Sequence, residues 1–439
     1  MINTKILGEK VYSFPRGGIT FSDSTAPSRD SCVTAFLPSL SVFPLVQHSG
    51  SRAFPVVAAG DAVREGMLIG MGKGPGSANI HASVPGRVIR MVSWKNSRGK
   101  LQDAVVVRME GGFEKLGKRE DVFPWEGMYP HDIQRTISDF GVVEMEGRGR
   151  PVSEIISSFR SAPDPVTLIV RCVFDDPWLA ADYVLCNERA AAVTEGAAII
   201  ARTCRVSRII YAISHREKKL GEKFLLVGKK REIPVDVVLV GSKYPQRNSR
   251  EMEHVLRNFG KKEGIELGSL CILGPATLAA VYDAVKVRKP VLERYITVGG
   301  SAVKHPQVMK VRLGKRIGDI FAECGGFIGT PEKIATGSPL LGQSLTYLDE
   351  PVMKTTFAIF AVLEGASQEN QSSCINCGEC RSVCPVGLDP EELFKRTLLS
   401  NGDDSSLSSE CHACGCCEIV CPSQLPLSST IASFTAREY

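Results

Sequence analysis

The sequence predicts a multidomain protein of mixed α/β plus β class that closes in a small α-helical, cysteine-rich module. Three observations carry this. At 439 residues the chain is too long for one hydrophobic core, and one domain per roughly 100–200 residues suggests three or four units. The pattern of its apolar residues changes twice, from short alternating runs to strand-and-helix alternation and back again. Nine of the fifteen cysteines lie between Cys374 and Cys421 at repeated spacings. A hydrophobic content of 43% and a charged content of 23% are those of an ordinary globular chain and argue against wholesale disorder. The net charge of +5 is scattered, without the basic stripe and interleaved aromatics of a nucleic-acid footprint, so no nucleic acid is expected as a partner.

Residues 1–125 read as a β-rich domain. Val, Gly and Pro recur in short alternating runs from 30 to 110, and GDAVREGMLIG (60–70) and NIHASVPGRVIRMV (79–92) form two similar strand–turn–strand phrases, each turning at a Gly. From 130 to 290 the grammar is α/β: VTLIVRCVF (166–174), a long Ala-rich helix over 181–204, RIIYAIS (208–214), VDVVLVG (235–241) and a helix over 250–264. Residues 293–363 return to strands, with RYITVGGSAVKHPQVMKVRLG (294–314) turning about Gly and a short helix ending at Gly325. EGASQENQSS (364–373) is a linker into the last unit, 374–439.

MINTKILGEKVYSFPRGG lacks the apolar run and cleavage site of a signal peptide, which predicts a cytoplasmic protein. TTFAIFAVLEGA (355–366) falls well short of the roughly 20 residues a spanning helix needs, so membrane association is expected to be peripheral, through partners. The isolated Cys32, Cys172, Cys186, Cys204, Cys271 and Cys324 read as small buried hydrophobes. No side chain is singled out as a catalytic acid, base or nucleophile.

The cysteine-rich end carries the chemistry. Cys374-x-x-Cys377-x-x-Cys380-x-x-x-Cys384-Pro385 and Cys411-x-x-Cys414-x-x-Cys417-x-x-x-Cys421-Pro422 share one spacing, that of two [4Fe–4S] clusters. Three thiolates on a tight loop reach three irons of one cubane, and the fourth opens towards the other. On that pattern Cys374, Cys377, Cys380 and Cys421 hold one cluster, while Cys384, Cys411, Cys414 and Cys417 hold the second. Structural zinc takes four ligands as two separated pairs, unlike these two Pro-terminated quartets. Cys416 falls outside the repeat and reads as a non-ligand, His412 as an exposed loop residue, and Gly378 and Gly415 as positions where backbone approaches sulfide.

FPRGGI (14–19), the two β phrases, KYPQ (243–246), ITVGGSAVKHP (296–306), the FAECGG turn and the two cluster motifs stand in one order. That order resembles the C subunits of the Rnf electron-transport complex, an ion-translocating membrane assembly, over most of the chain. The resemblance implies a barrel-sandwich-like β module at the N-terminus, an α/β domain similar to the flavin- and NADH-binding subunit of complex I, a β-grasp (SLBB-like) module over 293–363 and a ferredoxin-like double-cluster domain. It implies further a peripheral subunit on the cytoplasmic face of the inner membrane, part of an ion-translocating oxidoreductase. Its partners would be the other Rnf subunits and a soluble donor or acceptor (NADH, ferredoxin or flavodoxin).

The family's flavin-phosphate loop would fall at GVVEMEGRGRPVSE (141–154), where only Gly141, Gly147 and Gly149 are left as cofactor-binding candidates for FMN and NADH. Glu144, Met145 and Glu146 are poor substitutes, because side chains block amides from a phosphate and two carboxylates repel it. KYPQ is followed by Arg247 and Asn248 where the family has Gly, and TGSPLLGQSL (336–345) carries Ser338 in place of Gly and reads as a packing turn. Two further readings therefore stand beside the first. One is a free-standing soluble flavin and iron–sulfur NADH oxidoreductase. The other is an Rnf subunit whose nucleotide fold is scaffold and whose clusters take electrons from a flavodoxin or ferredoxin.

Overall fold

The computed structural model describes residues 5–21, 27–95, 101–113, 122–176, 178–338, 340, 342–363, 371–399 and 410–435. Val166–Cys172 is buried at every position, as a central parallel strand covered on both faces must be. It sits in a five-stranded all-parallel sheet ordered Lys5–Tyr12, Asp236–Val240, Val206–Ser214, Val166–Cys172, Ser269–Leu273. Alternate residues feed opposite faces. Leu168, Val170, Tyr211 and Val237 pack with the helices Ala190–Cys204, Lys218–Lys230 and Pro275–Val285, whereas Ile169, Ile210, Ala212 and Val238 pack with Ser249–Glu263.

The expected helix over 181–204 is two helices, Ala180–Glu188 and Ala190–Cys204, broken at Arg189. The Arg189 guanidinium there donates two bonds to Asp283, at 2.9 and 2.6 Å. Side-chain periodicity does not register a break of one residue.

The strand Lys5–Tyr12 pairs with Asp236–Val240, so the first strand of the 1–125 segment belongs to the α/β sheet. A second piece of that segment, Cys32–Thr34, extends the sheet of the 293–363 segment by pairing with Gln307–Arg312. Alternation shows that a strand exists without showing which open sheet edge it completes. Cys32, in that edge position, is half-buried, while the other five isolated cysteines are buried as expected.

The rest of the N-terminal segment forms two small sheets. One is ordered Leu40–Pro44, Leu101–Met109, Gly86–Lys95, Ala62–Val63, the other Phe54–Pro55, Leu68–Met71, Ile80–His81. Phe43, Leu45, Ile69, Ile80, Val88, Val105 and Val107 are buried here. Gly66 turns the first β phrase with φ +78°. Gly86 does not turn the second: it opens a strand where a Cβ would lie 1.9 Å from Arg108 O, so close approach is its reason to be Gly.

Residues 293–363 supply five strands of a six-stranded sheet ordered Gln343–Ser344, Pro331–Thr336, Ala358–Leu363, Glu293–Gly299, Gln307–Arg312, Cys32–Thr34. The helix Ile317–Glu323 buries Ile317, Ile320 and Phe321, and ends at Gly325 with φ +81°. Residues 364–370 of the linker lie outside the described residues. The last unit is helical: Glu379–Ser382, Pro390–Leu399, Cys416–Ile419 and Leu427–Thr435. Among the described residues no helix is long and apolar enough to cross a membrane.

Candidate metal centres

The two cysteine motifs repeat in backbone as well as in residue type. Asn376 (φ +55°) matches Ala413 (φ +49°), Gly378 (+76°) matches Gly415 (+81°), and Gly387 (+76°) matches Gln424 (+52°). A left-handed residue with a side chain costs about 1 kcal/mol or more, so three such residues in equivalent places mark loops held to one path. Nothing lies within 4 Å of a Cβ built on Gly378, so the visible requirement there is conformation rather than crowding by protein. Gly378 and Gly415 each precede a one-turn helix, Glu379–Ser382 and Cys416–Ile419, that carries the next cysteines.

That folding gathers each expected quartet around its own cavity. Cys374, Cys377, Cys380 and Cys421 line one of about 230 Å³, together with Ile375, Phe394, Leu425 and Leu427. Cys384, Cys411, Cys414 and Cys417 line another of about 20 Å³ with Val386, Leu388, Leu393 and Ile431. In both quartets, three cysteines come from one motif and the fourth from the other, with Cys416 as a fifth cysteine on the second cavity. Among the described residues no three metal-ligating side chains converge on a single point; the thiols stand around the cavity walls.

Backbone amides donate to the sulfurs of Cys374 (from Asn376, 3.4 Å), Cys384 (from Leu388, 3.3 Å) and Cys411 (from Ala413, 3.4 Å), which favours thiolate charge. Burial opposes it, holding the Cys380, Cys411 and Cys417 thiols above their ordinary pKa, so these thiols deprotonate as metal binds. Four thiols, apolar walls and amide donors suit a four-iron cluster at both places; the first cavity has room for one, whereas the second, with space for little more than a water, must open by outward movement of its lining as a cluster binds.

The two cavities differ in exposure. Cys377 on the first is exposed. The second is pressed against the α/β domain by the very phrases FPRGGI and KYPQ. Tyr244 Oη donates to Cys414 O at 2.7 Å, and Gly18 N donates to Val383 O at 2.8 Å. Gly17 (φ +62°) approaches so closely that a Cβ would lie 2.5 Å from Cys384 C and O.

Ile19 and Tyr244 exchange backbone bonds of 2.9 and 2.8 Å, and Lys243 Nζ donates to Gly17 O at 2.7 Å, tying the two phrases together. His412 is not the exposed loop residue expected: its Nδ1 lies 2.5 Å from Glu251 Oε1 on the helix Ser249–Glu263. Cys416 also lines the second cavity; it is 1% exposed and packs with Tyr244 and Cys414. Sequence spacing could not find these contacts, because their partners come from segments far away in the chain.

The 141–151 loop has its own geometry. Val143 bridges Pro151, and Glu144 N donates to Arg150 O at 2.8 Å, which closes the loop as a tight hairpin. A Cβ on Gly141 (φ +62°) would lie 2.1 Å from Asn79 O, and one on Gly149 (φ +80°) 3.0 Å from His48 Cα, so both glycines seat the N-terminal β module. Gly147 lies against the Glu144 carboxylate, with 2.6 Å from a Cβ to Glu144 Oε2. Lys354 Nζ joins the pieces through Asn79 O (2.6 Å) and Gly141 O (2.7 Å), and burial pushes its amine down to about 7. Ser338 Oγ donates to Asp176 Oδ2 at 2.8 Å, a packing contact between the 336–345 turn and the α/β domain.

Family models match three stretches: the RnfC barrel sandwich hybrid domain over residues 13–112, the Nuo51 FMN-binding domain over 137–283 and a 4Fe-4S dicluster domain over 373–425. The chain is 31% identical over 368 residues to the C subunit of the ion-translocating oxidoreductase complex of Rhodobacter capsulatus, covering 82% of this chain and 70% of that one. It is 30% identical over 390 residues to the C subunit of the proton-translocating ferredoxin:NAD(+) oxidoreductase complex of Clostridium ljungdahlii, covering 86% and 83%. A solved NAD+-reducing [NiFe]-hydrogenase aligns at 14% identity over 64% of this chain and 54% of that one, with a TM-score of 0.46, too loose a likeness to bear on fold or function.

Proposed function

This chain belongs to the family of C subunits of the Rnf ion-translocating oxidoreductases, and from that premise we propose that it is a peripheral subunit relaying electrons through two [4Fe–4S] clusters. It does so on the cytoplasmic face of the inner membrane, in a complex that couples electron transfer to ion movement. Its partners are the other subunits of that complex and a soluble donor or acceptor. On this reading the units are those expected from the sequence, with the first strand pairing into the α/β sheet and Cys32–Thr34 into the sheet of the 293–363 segment.

The observation carrying this reading is that each cavity gathers a complete quartet, with the fourth thiol supplied by the opposite motif. On it, Cys374, Cys377, Cys380 and Cys421 ligate one cluster and Cys384, Cys411, Cys414 and Cys417 the other. Each cluster, when bound, supplies one-electron transfer. The chain's own residues hold it: amides at 376, 388 and 413 spread the charge on sulfur, and Phe394, Leu425, Leu427, Leu393 and Ile431 keep water off. The exposure of Cys377 supports exchange with an outside partner at the first cluster, the second being the inner one against the α/β domain.

Anaerobic purification followed by iron and acid-labile sulfide analysis tests this, with about eight of each expected per chain. Cys384→Ala, a change in the first motif, should abolish the cluster held mainly by the second motif. Zinc without a brown chromophore, or a Cys384→Ala protein retaining both clusters, would overturn the reading.

A further inference from the structure

A match to an FMN-binding domain raises the question of whether residues 141–151 can hold a flavin phosphate. Two elements meet where an anion would be bound on general grounds: this loop, and the N-terminus of the eleven-residue helix Pro275–Val285, whose first amides have no partner within the helix. The position is taken. Glu146 Oε1 accepts from Thr277 N at 3.1 Å, and Glu146 Oε2 accepts from Thr277 Oγ1. The carboxylate sits so close to Gly274, the residue before the helix, that a Cβ there would lie 2.3 Å from Glu146 Cδ.

The loop is locked in this pose. Met145 N donates to Thr277 Oγ1 at 2.9 Å, and the buried Arg294 guanidinium donates to Met145 O at 3.3 Å while lying 2.9 Å from Met145 Sδ. The Glu144 side chain covers Gly147, and Gly141 and Gly149 face Asn79 and His48. The Gly141 amide is itself taken, donating to Ser138 O at 2.9 Å. The residues present do not fit a flavin phosphate: the Glu146 carboxylate already holds the helix N-terminus and, with Asp182, balances the buried Arg171, Arg247 and Arg294 guanidiniums, while the Glu144 side chain stands against Gly147 in the same loop.

We propose that Glu146 is a built-in anion that fills this phosphate position, so that the α/β domain of this chain binds no FMN and its clusters exchange electrons only with one-electron carriers. The second half follows from electron count. NADH delivers a hydride, two electrons with one proton, whereas an iron–sulfur cluster takes one electron at a time. Without a flavin to separate the pair, this chain cannot be reduced by NADH and must meet a flavodoxin- or ferredoxin-like carrier instead. This half rests on the cluster reading; the closure of the phosphate position does not.

The test uses the full chain, purified anaerobically. Acid-released flavin should be far below one per chain, and NADH alone should leave the cluster absorbance unbleached while a reduced viologen bleaches it. Equilibrium dialysis against FMN and against riboflavin, which lacks the phosphate, should show no preference for FMN. Glu146→Gly removes the carboxylate and should create a preference of about tenfold or more, the size expected for charge-assisted bonds to freed amides. Glu146→Ser serves the same purpose if the Gly variant does not fold.

Stoichiometric FMN in the wild-type chain overturns the proposal, and so does bleaching of the clusters by NADH alone. A folded variant at position 146 that shows no gain for FMN over riboflavin overturns it too, because the carboxylate would then not be what closes the site. Iron and sulfide counted in the same samples keep a failure of the cluster assignment distinct from a failure of this one.

Discussion

Replacing Gly17 with Ala would push a methyl group into the backbone that carries Cys384. The new Cβ would lie 2.5 Å from Cys384 C and O and 2.6 Å from Val383 O, where ordinary contact begins near 3.4 Å. The residue also sits at φ +62°, a conformation costing a side-chain-bearing residue about 1–2 kcal/mol. Overpacking against backbone adds about 1–3 kcal/mol. Together these amount to about 2–5 kcal/mol, or roughly 30-fold to several thousandfold in the population with the cluster module docked. Hydrogen exchange at the Gly18 amide reads this directly, because that amide is bonded to Val383 O at 2.8 Å. Gly60→Ala is the control: its φ of +97° carries the conformational cost, but nothing lies within 4 Å of its Cβ. Equal protection of Gly18 in the wild type and Gly17→Ala, with a loss of stability no larger than in Gly60→Ala, would refute the docking argument.

Tyr244→Phe removes the bond to Cys414 O and leaves a buried carbonyl unpaired, a loss of about 1–3 kcal/mol in denaturant unfolding. The electron paramagnetic resonance of the cluster proposed for Cys384, Cys411, Cys414 and Cys417 should broaden while the other keeps its line shape. Cys416→Ala should retain the full iron content whereas Cys417→Ala loses one cluster; equal losses would make Cys416 a ligand. Lys354, buried with its pKa down at about 7 against an ordinary 10.5, makes the unfolded chain the better proton binder between those values, so stability rises with pH across that window. Between pH 7 and 8.5 the rise is about 1–2 kcal/mol, and Lys354→Met, which leaves nothing to titrate there, should flatten denaturation midpoints over the same range.

The parts of the site that were legible in the sequence are those in which chemistry fixes local spacing. A cubane dictates how far apart thiols stand on one loop, so spacing alone sorts eight cysteines into two crossed sets, and each set lines one cavity. The central strands were legible for a similar reason: runs such as Val166–Cys172 are mostly apolar and buried throughout, with Thr167 and Arg171 buried among them. What escaped depends on partners far off in the chain. The break at Arg189 is bonded to Asp283, the strand Lys5–Tyr12 completes a sheet edge formed by Asp236–Val240, and His412 is drawn inward by Glu251.

FPRGGI and KYPQ show how a phrase that only marks a family acquires a physical meaning. Gly17 is needed where the chain passes Cys384 without room for a side chain, and Tyr244 delivers a hydroxyl to the carbonyl of a cluster cysteine. Both phrases thus hold the second cavity against the α/β domain. The glycines at 141–149 obey the same logic with a different outcome, since they are spent on packing Asn79, His48 and Glu144. A glycine-rich loop therefore need not signal a phosphate. What decides is whether the anion position stays open, and here a carboxylate from the same loop has reached the helix N-terminus first.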